Sequence, residues 1–344
     1  SPNQAEYHIP TKKILKLIPF QVDLFICLFP HQFLNARNWY ELNKQTKAPV
    51  CLMPVDMAEY TGGCHYANKC EGFKQHCGNC PGLYSNEDKD KTYKNLIIKK
   101  EYVSQTSLFS SGNTWTSNLI KQSTIFFGKP NYLSNVVIDE TVYCPGNKKE
   151  AKDLFSIPSH KNIIFFGAVS TLEKRKGFSY FVEALNLLYE ELDNKERDQI
   201  GIAIAGNINS EIKELIPFDI YFLGNLSHNQ LPRAFQMADV FVSSSIQDAG
   251  PMMVSQSMMC GTPVVAFEMG NSVDFIVNSL TGYQAPLYNT FILKDGIRTI
   301  VMETENKKNR MSNQCRKLAL SKSSYESFEQ TLISNYNNFN SMYG

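Results

Sequence analysis

The chain has 344 residues, of which 43% are apolar and 19% charged, with a formal net charge of +1. That length exceeds one ordinary core, so two α/β domains are expected, and the apolar share excludes a disordered chain. The near-zero charge excludes the basic excess of a general nucleic-acid binder, so no nucleic-acid partner is expected.

No run reaches the roughly 18 apolar residues that span a membrane. Residues 1–11 are polar and do not resemble a signal peptide. The nine cysteines fit a reducing compartment better than a full disulfide framework. A cytoplasmic protein is therefore expected, with peripheral contact at the inner face of the cell membrane as its closest approach to lipid.

In chain order, residues 22–29 and 49–53 read as strands separated by a helix over 35–46. A cysteine-rich loop follows, then a lysine-rich helix near 88–102, a strand near 107–111 and a helix from Thr114. Residues 145–151 (PGNKKEA) are polar and turn-rich and serve as the expected domain boundary. Beyond them apolar strands at 162–168, 200–205, 220–223, 240–243 and 263–267 alternate with helices. Such alternation means a doubly wound parallel sheet covered on both faces, with its ligand at the carboxyl ends of the strands. Gly167, Gly206, Gly224 and the loop from Ser243 to Gly250 fall at those ends. A terminal helix over 323–343 carries Phe328, Leu332 and Tyr336 at fourfold spacing. The expected division is 1–145, 146–322 and 323–344.

Three segments carry chemistry. In GAVSTLEKRKG (167–177) a loop delivers Lys174, Arg175 and Lys176 to a helix start, where N–H groups and dipole favour an anion. A plain solvated loop is the competing reading. In SSSIQDAGPMMVSQSMMCG (243–261), Gly250 and Pro251 open a helix, Asp248 precedes it and Gln256 lies eight residues on. Met252, Met253, Met258 and Met259 also suit a buried core. The third segment places Cys64, Cys70, Cys77 and Cys80 at C-x5-C-x6-C-x2-C spacing. Structural zinc is the favoured reading, with two disulfides or free thiols as alternatives. Four sulfurs leave no open position, so no catalytic metal is expected.

The RKG loop (175–177), DAGPMMVSQSMMCGTPVVAF (248–267) and MGNSVDFIVNSLTGY (269–283) together resemble the donor domain of glycosyltransferase family 4. The family's members are retaining enzymes of the two-domain GT-B fold. The resemblance implies two Rossmann-like doubly wound domains and a nucleotide-diphosphate sugar donor, UDP- or GDP-linked. It also implies transfer to a glycan or lipid-linked acceptor without covalent nucleophile or required metal. Carried onto this chain, it makes Lys176, Arg175 and Asp248 the catalytic set. Gly167, Gly206, Gly250, Pro251, Met252, Met253 and Gln256 become donor contacts. The family's paired glutamates fall on Asp248 and Gln256, and its arginine after the strand-end glycine is Ala168.

DMAEYTGGCHY (56–66), followed by the cysteine pattern, resembles a bacterial polysaccharide-biosynthesis subgroup. Many of its members have His where this chain has Val55. That leaves Asp56, with Thr61, Gly62 and Gly63, as the acceptor-side set. About 20 residues precede the first convincing strand and no glycine-rich loop is visible, so the N-terminal domain is expected to be incomplete or trimmed. A nucleotide-sugar-binding pseudo-enzyme and a zinc-stabilised interaction module are the rival readings.

Overall fold

The computed structural model describes residues 9–30, 33–170, 173–207, 214–250 and 252–343. They form two compact units. One holds the described residues up to Ser134 and those from Gln330 onward; the other is Asn135–Glu329.

The N-terminal unit is built on four parallel strands in the order β1 (Phe25–Leu28), β2 (Val50–Met53), β3 (Leu108–Gly112) and β4 (Asn131–Leu133). A short helix α1 (Thr11–Leu15) precedes them, and α2 (Ala36–Thr46), α3 (Lys91–Gln105) and α4 (Thr114–Gln122) make the crossovers. Helix α2 starts where Asn35 and Asn38 exchange side-chain and backbone hydrogen bonds, a capping box. Its Trp39 and Leu42 are buried. The strands follow one another in a single direction. Among the described residues, this sheet is Rossmann-like and parallel without the reversal expected of a doubly wound one.

The second unit does reverse. Its strands are β5 (Asn162–Ser170), β6 (Ile200–Asn207), β7 (Asp219–Gly224), β8 (Val240–Ser243), β9 (Val264–Phe267) and β10 (Gly282–Ala285), all parallel, in the order β10-β9-β8-β5-β6-β7. Its helices are α5 (Lys148–Leu154), α6 (Phe178–Glu191), α7 (Asn194–Asp198), α8 (Gln230–Met237), α9 (Met252–Met259), α10 (Ser272–Phe275), α11 (Thr290–Val301) and α12 (Glu305–Ser323), and α13 (Tyr325–Tyr343) closes the chain. The unbroken apolar run of β5 follows from burial on both faces. Ile163 and Phe165 join one core with Phe235, Val254 and Met258 of α8 and α9. Ile164 and Phe166 join another with Phe181 and Leu185 of α6 and Ile297 of α11. Alternate residues of one strand therefore feed opposite cores.

The division between units lies at Ser134/Asn135 and not at residue 145. Ile138 and Tyr143 belong to the second unit's core, and Ile138 N–H donates to the Ser323 carbonyl at 2.8 Å. The polar stretch 145–151 reads as a linker because it holds a helix start: Asn147 caps α5 by accepting from the Lys149 and Glu150 amides. The terminal helix also differs in detail. Its most buried residues are Asn335 and Phe339, whereas Phe328, Leu332 and Tyr336 are half-buried. Asn335 donates to Ser111 Oγ (3.1 Å) and the Phe339 ring packs tilted against Phe109 (centroids 5.0 Å apart), which puts this stretch in the N-terminal unit.

One buried acid ties the second unit together. The Asp239 side chain is 2% exposed; it accepts from Lys148 (2.9 Å), Lys308 (3.2 Å) and the Ile163 amide (2.8 Å). Burial would raise its pKa, but the two ammonium groups and the amide hold it below the usual carboxylate value. A depressed carboxylate contributes stability above its unfolded value, near pH 4, and loses it as pH falls through the folded value. Asp239→Ala is expected to destabilise this unit by about 3–5 kcal/mol, because two lysines are left without their counter-charge. It should also reduce the steepness of acid unfolding below about pH 4. Urea titrations across pH check both.

Candidate active site

In the second unit the chain leaves β5 toward β6 on one side and returns to β8 on the other, which opens a crevice where the two strands end. A cavity of about 280 Å³ occupies this place. It is lined by the β5 end at Gly167–Val169, by Ser243–Ser245 after β8, by Gly250, Met252 and Met253 at the start of α9, and by Lys176.

The loop bearing the cations is clasped to the end of β8. The Ser244 hydroxyl donates to the carbonyls of Gly177 (2.8 Å) and Lys176 (3.3 Å), and the Ile246 amide donates to the Arg175 carbonyl (2.8 Å). Gly177 sits at φ +67°, and a Cβ there would lie 1.8 Å from the Ser244 carbonyl oxygen. Only glycine permits that approach. Residues 174–176 form a single 3-10 turn before α6 begins.

This turn brings Lys176 and Arg175 onto one acid. Asp248 Oδ2 accepts from Lys176 Nζ and from Arg175 Nη1 (3.1 Å), while Asp248 Oδ1 accepts from the Gly250 amide (3.3 Å). Arg175 Nε also donates to Glu173 (2.6 Å). The Lys176 side chain is 21% exposed and the Asp248 side chain 7%. The acid thus offsets two cations that would otherwise repel, and holds them at the mouth of α9.

The expected donor residues separate into three groups. Lys176, Gly167, Gly250, Met252 and Met253 line the cavity, whereas Arg175, Asp248 and Gln256 do not. Gly167 leaves room for the tip of Met253, whose Cε would lie 2.4 Å from a Cβ there and would have to shift. Gly206, at φ +115°, is a structural glycine, because a Cβ there would strike the Ala168 carbonyl oxygen at 1.7 Å. Gln256 Nε2 donates to Tyr143 Oη (3.1 Å). Pro251 lies outside the described residues.

On the N-terminal unit Asp56 is buried. Its Oδ1 accepts from the Ala58 amide (2.8 Å) and its Oδ2 pairs with His65 Nδ1 (2.6 Å). Thr61, Gly62 and Gly63 are buried as well. The Thr61 hydroxyl donates to the Cys64 carbonyl (2.9 Å) and accepts from the Gly63 amide (3.1 Å), so it shapes the loop. Two charged groups escaped the sequence reading. Lys99 is buried and donates to the carbonyls of Ala58 (2.6 Å) and Thr61 (3.1 Å). Burial, reinforced by Asp56, pushes the Glu59 carboxyl up to about 7. The available signal was spacing: Lys99 falls on the buried stripe of α3, with Leu96 and Val103.

The group 1 glycosyl transferase family model matches residues 147–318. Among curated proteins, an uncharacterised glycosyltransferase of Methanocaldococcus jannaschii is 24% identical over 217 residues, which is 60% of this chain and 52% of that protein. The sulfoquinovosyl transferase of Arabidopsis thaliana is 26% identical over 129 residues, 36% of this chain and 25% of its own. The chain thus matches about half the length, or less, of these relatives. Among solved structures, sucrose-phosphate synthase of Thermosynechococcus elongatus superposes with a TM-score of 0.68 at 14% identity, covering 97% of this chain and 81% of that one. Anabaena HepE in complex with UDP gives 0.66 at 14% identity, covering 95% and 82%. These likenesses show the fold: two parallel-sheet, Rossmann-like domains of the GT-B type.

Gly177→Ala tests the clasp. It is expected to lower folding stability by about 1 kcal/mol or more, since alanine must adopt positive φ against the Ser244 carbonyl. Chemical denaturation reads this directly, and unchanged stability would contradict the geometry.

Proposed function

Because the chain belongs to the glycosyl transferases group 1 family, we propose that it transfers a sugar from a nucleotide-diphosphate donor to a hydroxyl of a glycan or lipid-linked acceptor. In this reading it is a retaining hexosyltransferase of family 4 acting in polysaccharide biosynthesis, at the inner face of the cell membrane. The observation that carries the reading is Lys176, held by Asp248 on the wall of a cavity at the switch point of a parallel sheet.

Breaking the bond between sugar and diphosphate places growing negative charge on the leaving phosphate. Lys176 in the cavity wall, Arg175 behind it and the amides at the start of α9 would stabilise that charge, in a site that needs little reorganisation. An arriving diphosphate competes with Asp248 for Lys176. The released carboxylate is then available to hold sugar hydroxyls. Gln256, engaged by Tyr143, acts on the donor only after exchanging that bond. Configuration is retained without a covalent enzyme intermediate, with departure and attack on one face of the sugar.

HepE has been solved with UDP and with UDP-glucose, which makes uridine donors the first to test. A binder without turnover is the second reading, favoured by the Gln256–Tyr143 hydrogen bond. Melting-temperature shifts with UDP, GDP and their sugars identify the ligand, since a ligand of the native state raises the transition. Transfer and hydrolysis assays on the same panel then separate the readings, and binding without any turnover supports the second. Lys176→Ala is expected to lower turnover about 10²-fold or more. Unchanged turnover would remove Lys176 from the reaction.

A further inference from the structure

Between the end of β2 at Met53 and the start of α3 at Lys91 the chain holds only two single 3-10 turns, Gly72–Lys74 and Pro81–Leu83. Connections longer than about 12–15 residues without regular structure are uncommon in compact domains and need some other anchor. The segment nevertheless contributes buried Phe73 and Ala67 to the core of the N-terminal unit. Hydrogen bonds fix its two ends: Met57 N–H to the His65 carbonyl (2.9 Å), and the Cys80 amide to Asp90 (2.9 Å).

At its centre four thiols converge. Cys64, Cys70, Cys77 and Cys80 are all unpaired and half-buried, and all four line one cavity of about 30 Å³. That space suits a single atom or water and not an organic ligand. The backbone is arranged to let the sulfurs in. A Cβ on Gly62 would lie 2.5 Å from the Thr92 carbonyl oxygen and 2.9 Å from Cys77 Sγ. Gly78 sits at φ +135°, where a Cβ would reach 2.0 Å from the Asp88 carbonyl oxygen. The Gly62 amide also donates to the Cys77 sulfur in an N–H···S contact. The buried ammonium of Lys99 lies within electrostatic reach of Cys64 and Cys77.

We propose that Cys64, Cys70, Cys77 and Cys80 bind one structural Zn²⁺ tetrahedrally as thiolates. Four thiolates around one zinc carry two net negative charges; the Lys99 ammonium partly offsets them, and the Gly62 amide orients Cys77. As placed, no group of three or more His, Cys, Asp or Glu side chains among the described residues forms a ready-made metal cage. Binding therefore includes a contraction of the sulfurs onto the ion, at about 2.3 Å each, with release of the thiol protons. The metal anchors the loop that carries Asp56, Thr61 and Gly62 and takes no part in sugar transfer.

The test uses the full chain purified under reducing conditions. Elemental analysis is expected to give one zinc per chain, released in step with titration of the cluster thiols by a mercurial reagent. Exchange for Co²⁺ should produce thiolate-to-cobalt charge-transfer absorption. Lys99→Met should weaken zinc binding about 10-fold while leaving one site per chain. Cys77→Ser should lose the zinc, and the wild-type metal content decides the matter even if that variant fails to fold. Zinc-free protein whose four thiols react freely would overturn the proposal, as would two disulfides by peptide mapping, or iron in place of zinc.

Discussion

A parallel sheet that winds outward in both directions from one strand has a single place where neighbouring connections part. In the second unit this lies between β5 and β8, and the candidate site depends on it. The parting leaves the carboxyl ends of both strands open, so Gly167 and Ser243–Ser245 form opposite walls of one cavity. The charged loop is then fastened to that opening. Ser244 and Ile246 hold the 174–177 turn by its backbone, and Asp248 gathers Lys176 and Arg175 beside the first turn of α9. The glycines that matter act through close approach: Gly177 against Ser244, and Gly167 beneath Met253. Phosphate recognition needs such a combination of fixed amides and cations, where the cost of orienting them has been met during folding.

Much of this was legible in the chain alone, for identifiable reasons. A strand buried on both faces is apolar at every position, so 162–168 stood out without any periodicity. Lys176 and Asp248 were singled out because loop composition and strand ends are local signals, and the structure joins the two across 72 positions. What escaped was contact between residues far apart in sequence. Gln256, read as a donor contact, also meets Tyr143 across 113 positions through an internal hydrogen bond. The clasp from Ser244 to Gly177 spans 67 positions, and a run of serines gives no hint of it. The boundary at 145–151 misled for a physical reason: helix caps and linkers draw on the same polar residues, and Asn147 is a cap.

The N-terminal unit shows the same division. Its alternation of strands and helices was readable, and Asp56 was singled out, but Glu59 and Lys99 behind the TGGCHY segment were not. Asp56, Glu59, His65 and Lys99 gather beneath a loop whose charge pattern looks ordinary in one dimension. Burial changes their meaning. A lysine 3% exposed among backbone carbonyls holds the loop in shape, where an exposed one would only keep the surface wet. Thr61, Gly62 and Gly63 fit the same account: the Thr61 hydroxyl ties Gly63 and Cys64 together, and Gly62 lies against Cys77. The proposed donor site thus lies in one unit, while the unusual buried residues of the other shape a long connection.

The most direct test of the donor site is a crystal structure of the chain soaked with UDP or a UDP-sugar. The account predicts diphosphate oxygens within hydrogen-bond distance of Lys176 Nζ and the first amides of α9, with Asp248 turned from the lysine toward the sugar. A diphosphate bound elsewhere, with the Lys176–Asp248 pair intact, would contradict it.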